Sequence, residues 1–261
     1  MTGLVSDLDL ALHLADRADT ITAGAFGQVD LVVETKADRT PVSEADRAVE
    51  REVRAVLSRE RPVDQVVGEE YGDSGQTGNH RRWIVDPIDG TKNFVRRVPV
   101  WATLIALEAD GMVQLGVVSA PALHRRWWAA RGQGAWARSS DASPAPIHVS
   151  RVAELGDAHL SGSALSSWDN PRRYVRLAMQ CFADRNLGDF WSHMLVAEGA
   201  CDIGLDPIVS LWDLAALQPI VEEAGGRFTD FGGRARPDGG SAISSNALLH
   251  DQALAILNED F

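Results

Sequence analysis

Two carboxylates three residues apart are the clearest chemical signal in this sequence. The segment WIVDPIDGTKNF, residues 83–94, places Asp86 and Asp89 directly after an apolar run. Pro87 separates them, and a proline fixes one backbone torsion and disfavours helix at the preceding residue. Both carboxylates and the Ile88 carbonyl can therefore turn toward one point. Oxygen ligands that converge in this way suit a hard divalent cation, above all Mg2+.

The next residues offer an anion site beside that cation. Gly90 and Thr91 are predicted to begin a short helix, whose free N–H groups and positive dipole end bind phosphate. The alternative is an Asp-rich turn, in which Asp86 and Asp89 only accept hydrogen bonds from backbone N–H groups. The motif alone leaves both interpretations open, because isolated DxxD segments are common.

Further acidic residues favour the metal site over the turn. Glu69 and Glu70 follow a second apolar strand in VVGEE, and Asp213 lies at the beginning of a helix in SLWDLAALQPIVEEAGG. Adjacent unpaired carboxylates repel one another and raise one another's pKa values, so a cluster of four is costly without cations. A site for two metal ions removes that cost.

The elements that must position these residues predict an α+β fold. Residues 101–130 have the pattern of an antiparallel meander with a turn at Asp110-Gly111. Short buried strands are expected at 65–68 and 83–85, where each runs directly into acidic residues. Further strands are expected at 31–34, 202–205, 226–230 and 241–244, and helices at 4–24, after Ser43, 171–182, 190–199, 211–224 and 247–258.

A division of the chain is predicted at the Ser-, Ala- and Pro-rich segment 139–146. We expect an N-terminal α+β half, residues 1–140, which carries most of the metal ligands. A C-terminal α/β half, residues 141–261, is expected to carry Asp213 and the residues that determine substrate specificity.

Composition excludes several classes of protein. With 261 residues, 45% of them apolar, the chain can bury a substantial core. A net charge of -12 argues against nucleic acid or an acidic membrane surface as the main partner. The two cysteines, Cys181 and Cys201, have no zinc-like spacing, and no segment has the pattern of a signal peptide or a membrane span. We therefore expect a cytoplasmic protein.

Four motifs together resemble a known family. KADRTPVSEAD, VVGEE, WIVDPIDGTKNF and LWDLAALQPIVEEAGG are similar, in order and spacing, to the motifs of the inositol monophosphatase family of metal-dependent phosphatases. The resemblance covers nearly the whole chain. It implies a layered αβαβα sandwich, a homodimer and a small phosphate ester as substrate.

The resemblance also implies a set of metal ligands. Glu69, Asp86 and the Ile88 carbonyl would hold one Mg2+, and Asp86, Asp89 and Asp213 a second. A third, weaker ion would lie near Glu69.

The implied reaction is direct attack of water on phosphorus, without a covalent phosphoenzyme. Glu69 and Thr91 would orient the water or take its proton, and the N–H groups of Gly90 and Thr91 would bind the phosphate. Asp46 would support the cluster through water; the alternative is an exposed acid in the first turn of a helix.

The substrate is indicated by a second resemblance. VRRVPVWATLIAL, residues 95–107, together with DGTKNF, is more similar to the histidinol-phosphatase branch of actinobacteria than to inositol phosphatases. Asp189 would suit the cationic histidinol phosphate, or would only cap the helix 190–199. Arg185 would contact phosphate, or would only pair with Asp189. The substrate-binding candidates are Gly90, Thr91, Lys92, Arg185, Asn186, Gly188, Asp189, Asp206 and Asp213.

Two other functions are compatible with the sequence. An inositol-1-phosphatase or a broad sugar-phosphate phosphatase would use the same metal site, since one fold accommodates many phosphate esters. A regulatory or RNA-associated binding protein that retains the fold is the alternative of another class. The intact carboxylate set and the net charge of -12 disfavour it.

Overall fold

The fold contains both helices and strands, in a computed structural model that describes residues 2–36, 40–74, 80–186 and 188–259. Helices α1 to α8 span Thr2–Ala25, Glu44–Glu60, Thr91–Val95, Pro171–Ala178, Asp189–Ala197, Leu211–Leu214, Leu217–Glu223 and His250–Asn258. Strands β1 to β15 span Val33–Thr35, Pro41–Ser43, Gln65–Gly68, Gly72–Ser74, Arg81–Asp89, Ala102–Ala109, Met112–Ala120, Arg125–Ala130, Ala135–Ser139, Ala145–Pro146, His159–Gly162, Ala183–Arg185, Ile203–Asp206, Arg227–Thr229 and Ala242–Ser245.

Two sheets form the framework. Over the described residues, the larger sheet has the strand order β10-β9-β8-β7-β6-β5-β3-β4, and the smaller has the order β12-β11-β13-β15-β14. The predicted meander is confirmed, because β6, β7 and β8 pair antiparallel in sequence. Strand β3 pairs parallel with β5, so the carboxyl ends of these two strands meet at the same edge of the sheet.

The sheets are separated and covered by helices. Helices α1 and α2 pack on one face of the larger sheet around Trp83 and Ile105. Helices α5 and α7 fill the space between the sheets, where Phe190, Ile220 and Phe228 share one core. Helices α4 and α8 cover the outer face of the smaller sheet. The predicted αβαβα sandwich is confirmed.

Helix α2 begins where the sequence predicts it. The Ser43 hydroxyl accepts a hydrogen bond from the Ala45 N–H, and the Asp46 carboxylate accepts from the Ser43 N–H at 2.8 Å. This reciprocal capping fixes the first turn. The apolar face that includes Val49 and Val53 is fully buried against the larger sheet.

Some element boundaries were predicted wrongly. The helix expected at 211–224 is two helices, because Pro219 has no N–H to donate to the carbonyl of Ala215. Helix α4 ends at Ala178, short of residue 182. Strands β11 and β12 were not predicted; of these two, β12 is a short, exposed edge strand with no alternating pattern. The predicted division between residues 1–140 and 141–261 stays a prediction.

Candidate active site

A bulge in β5 brings Asp86 and Asp89 to the same side of the strand. In a regular strand, residues three apart point to opposite faces. Here Asp86 pairs with Leu104 and Asp89 with Ala102, so β5 carries one extra residue. Pro87, which has no N–H to pair, lies in this bulge, and its carbonyl accepts a hydrogen bond from Thr103 Oγ1 at 2.8 Å. The predicted strand end at residue 85 was wrong, since β5 continues through both carboxylates.

The first turn of α6 adds a third carboxylate. Asp213 Oδ2 accepts a hydrogen bond from the Ser210 N–H at 2.7 Å, which fixes the side chain at the helix start. One carboxylate oxygen each from Asp86, Asp89 and Asp213 can be chosen so that all three lie within 4.8 Å of one another. Among the described residues, no Lys or Arg forms an ion pair with these three.

The unpaired charges alter the acidity of the cluster. Burial, together with the charges of Glu69 and Asp89, raises the pKa of Asp86 well above its usual value. Burial also raises the pKa of Asp89, and it raises the pKa of Asp213 to about 7. A set of buried oxygen donors that lacks a counter-charge fits a hard divalent cation, because bound Mg2+ would remove both the desolvation cost and the repulsion.

Without bound metal, the melting temperature should fall as the pH rises from about 6.5 to about 8. Asp213 has a pKa of about 7 in the folded protein against 3.8 for the free side chain, so the folded state binds more protons and loses this advantage as pH rises. Burial lowers the pKa of His250 to about 4, and that residue opposes the trend only below about pH 6.5.

Melting curves in chelator across that pH range test this dependence. Added Mg2+ should raise the melting temperature more at pH 8 than at pH 6.5, since metal competes with protons for the carboxylates. A melting temperature that rises with pH in chelator over this range would contradict the assignment.

Glu69 lies beside this cluster and forms an ion pair with Lys36. Its Oε1 is 2.7 Å from the Lys36 ammonium, which also lies 2.5 Å from Glu70 Oε1. The charge of Glu69 contributes to the raised pKa of Asp86, so the two carboxylates are near each other. The residues after Lys36 in the KADRTPVSEAD motif, 37–39, lie outside the described residues.

A buried carboxylate that sequence reasoning missed holds the turn that carries Glu69. The fully buried Glu50 accepts the N–H groups of Glu70 at 2.7 Å and Tyr71 at 3.1 Å. A Cβ at Gly68 would lie 2.1 Å from Glu50 Oε1, so only glycine leaves room for it. The signal in the sequence was weak, because an acid within a helix is usually solvated.

The predicted phosphate-binding segment, Gly90 and Thr91, has the expected backbone conformation at the start of a short helix. Gly90, with φ +81°, precedes α3, and a Cβ there would approach the Val100 carbonyl to 3.0 Å. The Thr91 hydroxyl lies 2.9 Å from the Ile88 carbonyl and 3.4 Å from Asp46 Oδ1. Asp46 is fully buried, so the alternative of an exposed acid in the first helical turn was wrong.

Asp189 lies over Gly90, in an unusual backbone conformation. Its φ is +51°, which costs free energy for a residue other than glycine. A Cβ on Gly90 would lie 3.2 Å from Asp189 Oδ2, and Asn93 Nδ2 lies 3.4 Å from the same oxygen. The helix is capped by Gly188 without a side-chain hydrogen bond, so the capping alternative for Asp189 was wrong.

A cavity of about 400 Å3 is lined by the acidic cluster, by Gly90 and Thr91, and by Asp189. Asp206, Ser163 and Ser167 also line it, together with the apolar side chains of Val209 and Trp212. The predicted site residues that line it are Glu69, Asp86, Ile88, Asp89, Gly90, Thr91, Lys92, Asp189, Asp206 and Asp213.

Among the described residues, three predicted substrate-binding residues do not line this cavity: Arg185, Asn186 and Gly188, the last of which directly precedes α5. Arg185 is exposed on β12 and donates to the carbonyl of Asp184 at 2.8 Å. Among the described residues it forms no ion pair with Asp189, so that alternative is also not supported. Asn186 is exposed and contacts the Tyr174 hydroxyl.

Comparison with known proteins gives the family. A model of the inositol monophosphatase family matches residues 5–260. A histidinol-phosphatase from Mycobacterium tuberculosis is 58% identical over 255 residues, which cover 97% of this chain and 98% of that protein. The chain belongs to the inositol monophosphatase family. It is therefore a phosphomonoesterase of that family, whose members depend on metal.

Two further comparisons agree with the family assignment. A histidinol-phosphatase from Streptomyces coelicolor is 50% identical over 268 residues, with full coverage of both chains. The solved structure of an inositol monophosphatase from Thermotoga maritima has a TM-score of 0.86 at 31% identity and covers 97% of each chain. As for membrane association, none of the described helices is long and apolar enough to span a bilayer.

The inositol monophosphatase motifs contain the clustered carboxylates but do not identify the residues that contact the cavity lining from behind. The Asn93 side-chain amide donates to the Val100 carbonyl at 2.9 Å and lies 3.4 Å from Asp189 Oδ2. His193 Nε2 lies 2.8 Å from Asp206 Oδ2. Asn93 lies inside the segment WIVDPIDGTKNF, yet its partner Asp189 is 96 positions away in sequence. Nothing in the local pattern around His193 distinguishes it from a core histidine.

Proposed function

We propose that this chain is a Mg2+-dependent histidinol-phosphatase, which hydrolyses L-histidinol phosphate to L-histidinol and inorganic phosphate. The observation that carries the proposal is a second pair of carboxylates, Asp189 and Asp206, which line the same cavity as the proposed metal cluster. The relatives that are 58% and 50% identical bear the name of that activity.

The two carboxylates suit a positively charged alcohol. Burial raises the pKa of Asp189 to about 6, with a further contribution from the charge of Asp206. Lys92 lowers that pKa, but its side chain is exposed at the edge of the cavity. The ammonium group of histidinol phosphate would relieve the repulsion between the two acids, whereas inositol phosphate offers only neutral hydroxyls.

The metal ligands would be those that the sequence resemblance implies. We propose Glu69, Asp86 and the Ile88 carbonyl for one Mg2+, and Asp86, Asp89 and Asp213 for a second. A third ion would lie beside Glu69, where Lys36 now contacts the carboxylate. Bound Mg2+ supplies Lewis-acid chemistry, in that it polarises phosphoryl oxygens and makes water more acidic.

The chain's own residues would bind the phosphate and move a proton. The N–H groups of Gly90 and Thr91 would donate to phosphate oxygens. The Thr91 hydroxyl lies between the Ile88 carbonyl and Asp46, so it can accept a hydrogen bond from the attacking water while it donates to one of them. Glu69, at the same end of the cavity, is the candidate base for that water.

A panel of phosphate esters tests the proposed substrate. Phosphate release with Mg2+ would be measured for histidinol phosphate, inositol 1-phosphate, fructose 1,6-bisphosphate and glycerol 2-phosphate. We expect the highest kcat/KM for histidinol phosphate and no turnover in chelator. A higher kcat/KM for inositol 1-phosphate or a sugar phosphate would overturn the substrate, and turnover that survives chelation would overturn the metal site.

We also propose that the enzyme is a homodimer that uses the surface around α4. Val175 on α4 is 44% exposed, and Met179 and Phe182, which follow the end of this helix, are 81% and 70% exposed. Large apolar side chains that cluster at a surface mark protein contacts. The β12 edge next to them carries Arg185.

The variant Phe182→Lys should weaken this dimer, because a charged side chain would be buried at the contact. Light scattering after size exclusion should give a dimer for the wild type and more monomer for the variant. The matched control is Ile208→Lys, which changes another exposed apolar residue, 63% exposed, at the cavity mouth. A monomeric wild type, or a variant that remains as dimeric as the wild type, would contradict this interface.

A further inference from the structure

His193 lies buried behind Asp206, one of the residues that line the cavity. Its side chain is fully inaccessible to solvent, and both ring nitrogens have partners. Nε2 lies 2.8 Å from Asp206 Oδ2, and Nδ1 lies 2.8 Å from Ser244 Oγ. The ring therefore joins α5, which carries His193, to β13 and β15 of the smaller sheet.

The carboxylate that His193 contacts faces the cavity. Asp206 is the last residue of β13, is 3% exposed and lines the cavity. Its Oδ1 accepts a hydrogen bond from the Ser163 hydroxyl, which lines the same cavity. With one donor on each oxygen, the plane of the carboxylate is fixed.

The contact with Asp206 fixes which ring nitrogen donates. A carboxylate oxygen accepts hydrogen bonds, so Nε2 of His193 donates to Asp206 Oδ2. The Ser244 hydroxyl can either donate to Nδ1 or accept from it, so the second ring nitrogen has a partner in both cases.

The surroundings leave His193 a single position. A Cβ at Gly204 would lie 2.6 Å from Ser244 Oγ and 3.4 Å from His193 Nδ1, so a larger residue on β13 would displace the ring and its partner. The ring centroid of Phe228 lies 5.7 Å from that of His193 on another side. A side chain packed in this way does not turn away from Asp206.

We infer that His193 is a positioning residue for substrate recognition, which holds Asp206 toward the alcohol part of the substrate. Together, Asp206 and Asp189 form a two-carboxylate site for a positively charged group. The inference rests on the proposed function, because histidinol phosphate supplies that charge. Since the ring of His193 hydrogen-bonds to Asp206 and Ser244, and neither is a proposed metal ligand, the loss of His193 should weaken substrate binding more than it slows the chemical step.

The variants His193→Gln and His193→Leu test this role. For histidinol phosphate, His193→Leu should raise KM about tenfold or more with a smaller change in kcat, because Asp206 loses its buried donor. For the neutral ester glycerol 2-phosphate, kcat/KM should change little. His193→Gln keeps an amide that can donate to Asp206, so its KM should be intermediate.

His250 provides a matched control. It is also fully buried, with Nε2 3.0 Å from Thr229 Oγ1 and Nδ1 2.9 Å from Ser245 Oγ, but neither partner lines the cavity. The variant His250→Leu should lower the melting temperature and leave the ratio of kcat/KM between the two esters as it is in the wild type.

The outcomes separate the inference from the proposed function. If the wild type prefers histidinol phosphate but His193→Leu changes the ratio between the esters no more than His250→Leu does, the inference is overturned and the proposed function stands. If the wild type has no such preference, both are overturned. Should His193→Leu fail to fold, Ser244→Ala must change the ratio in the same direction by a smaller factor, and an unchanged ratio overturns the inference.

Discussion

The variant Asp86→Asn will lose about a thousandfold or more of the wild-type kcat/KM, and in chelator it will melt at a higher temperature than the wild type. The loss is expected because Asp86 is the proposed ligand shared by both ions, and metal catalysis contributes several kcal/mol. The gain in stability is expected because one charge is removed from a buried cluster whose members repel each other. Asparagine keeps the oxygen that accepts the Ile88 N–H at 3.0 Å.

The control for this variant is a buried carboxylate that has a partner. Asp64 is 7% exposed, lies 3.2 Å from Arg81 Nε and accepts from Trp83 Nε1 at 3.0 Å. Asp64→Asn should therefore lower the melting temperature, opposite to Asp86→Asn, because it weakens an ion pair. Thermal melts of both variants with and without Mg2+ give the comparison. A metal-free Asp86→Asn protein that melts below the wild type would show that the cluster is not under repulsion.

The second large effect is expected at Asp189. Replacement by asparagine keeps the shape of the side chain and removes the charge, so kcat/KM for histidinol phosphate should fall about 10- to 100-fold. Hydrolysis of glycerol 2-phosphate should fall less than about threefold, since that ester has no cation to lose a partner. Steady-state kinetics on both esters measure the ratio.

Asp184 is the matched control for Asp189. It lies five positions earlier, is exposed on β12, and its Oδ2 is 3.3 Å from the Tyr174 hydroxyl. Asp184→Asn should leave kcat/KM unchanged for both esters. Equal losses for the two esters in Asp189→Asn would mean that this carboxylate supports the fold of the site and does not recognise the cation.

The three clustered carboxylates could be predicted from the sequence because each follows a local signal. Asp86 and Asp89 end an apolar run, and Asp213 lies in the first turn of a capped helix. The bulge could not be foreseen in detail, because it depends on how β5 pairs with β6. The family resemblance supplied the layered fold, whereas local periodicity indicated only a mixture of helices and strands.

The supporting residues could not be located for the same physical reason. Glu50, Asn93 and His193 act through partners that are 20, 96 and 13 positions away, and such contacts leave no periodic trace. Arg185 was expected to contact phosphate or to pair with Asp189. It lies on β12, a short exposed strand at the edge of the smaller sheet, and its guanidinium donates to the carbonyl of Asp184.

The position of the carboxylate cluster between layers has a mechanical consequence. Asp86 and Asp89 belong to the larger sheet, while Asp213 belongs to the helical layer in the middle of the sandwich. Repulsion between them pushes the two layers apart, and cations between them would pull the layers together. Metal binding would therefore stabilise the contact between the larger sheet and the helical layer. Metal-free enzyme should become mobile first at the active site.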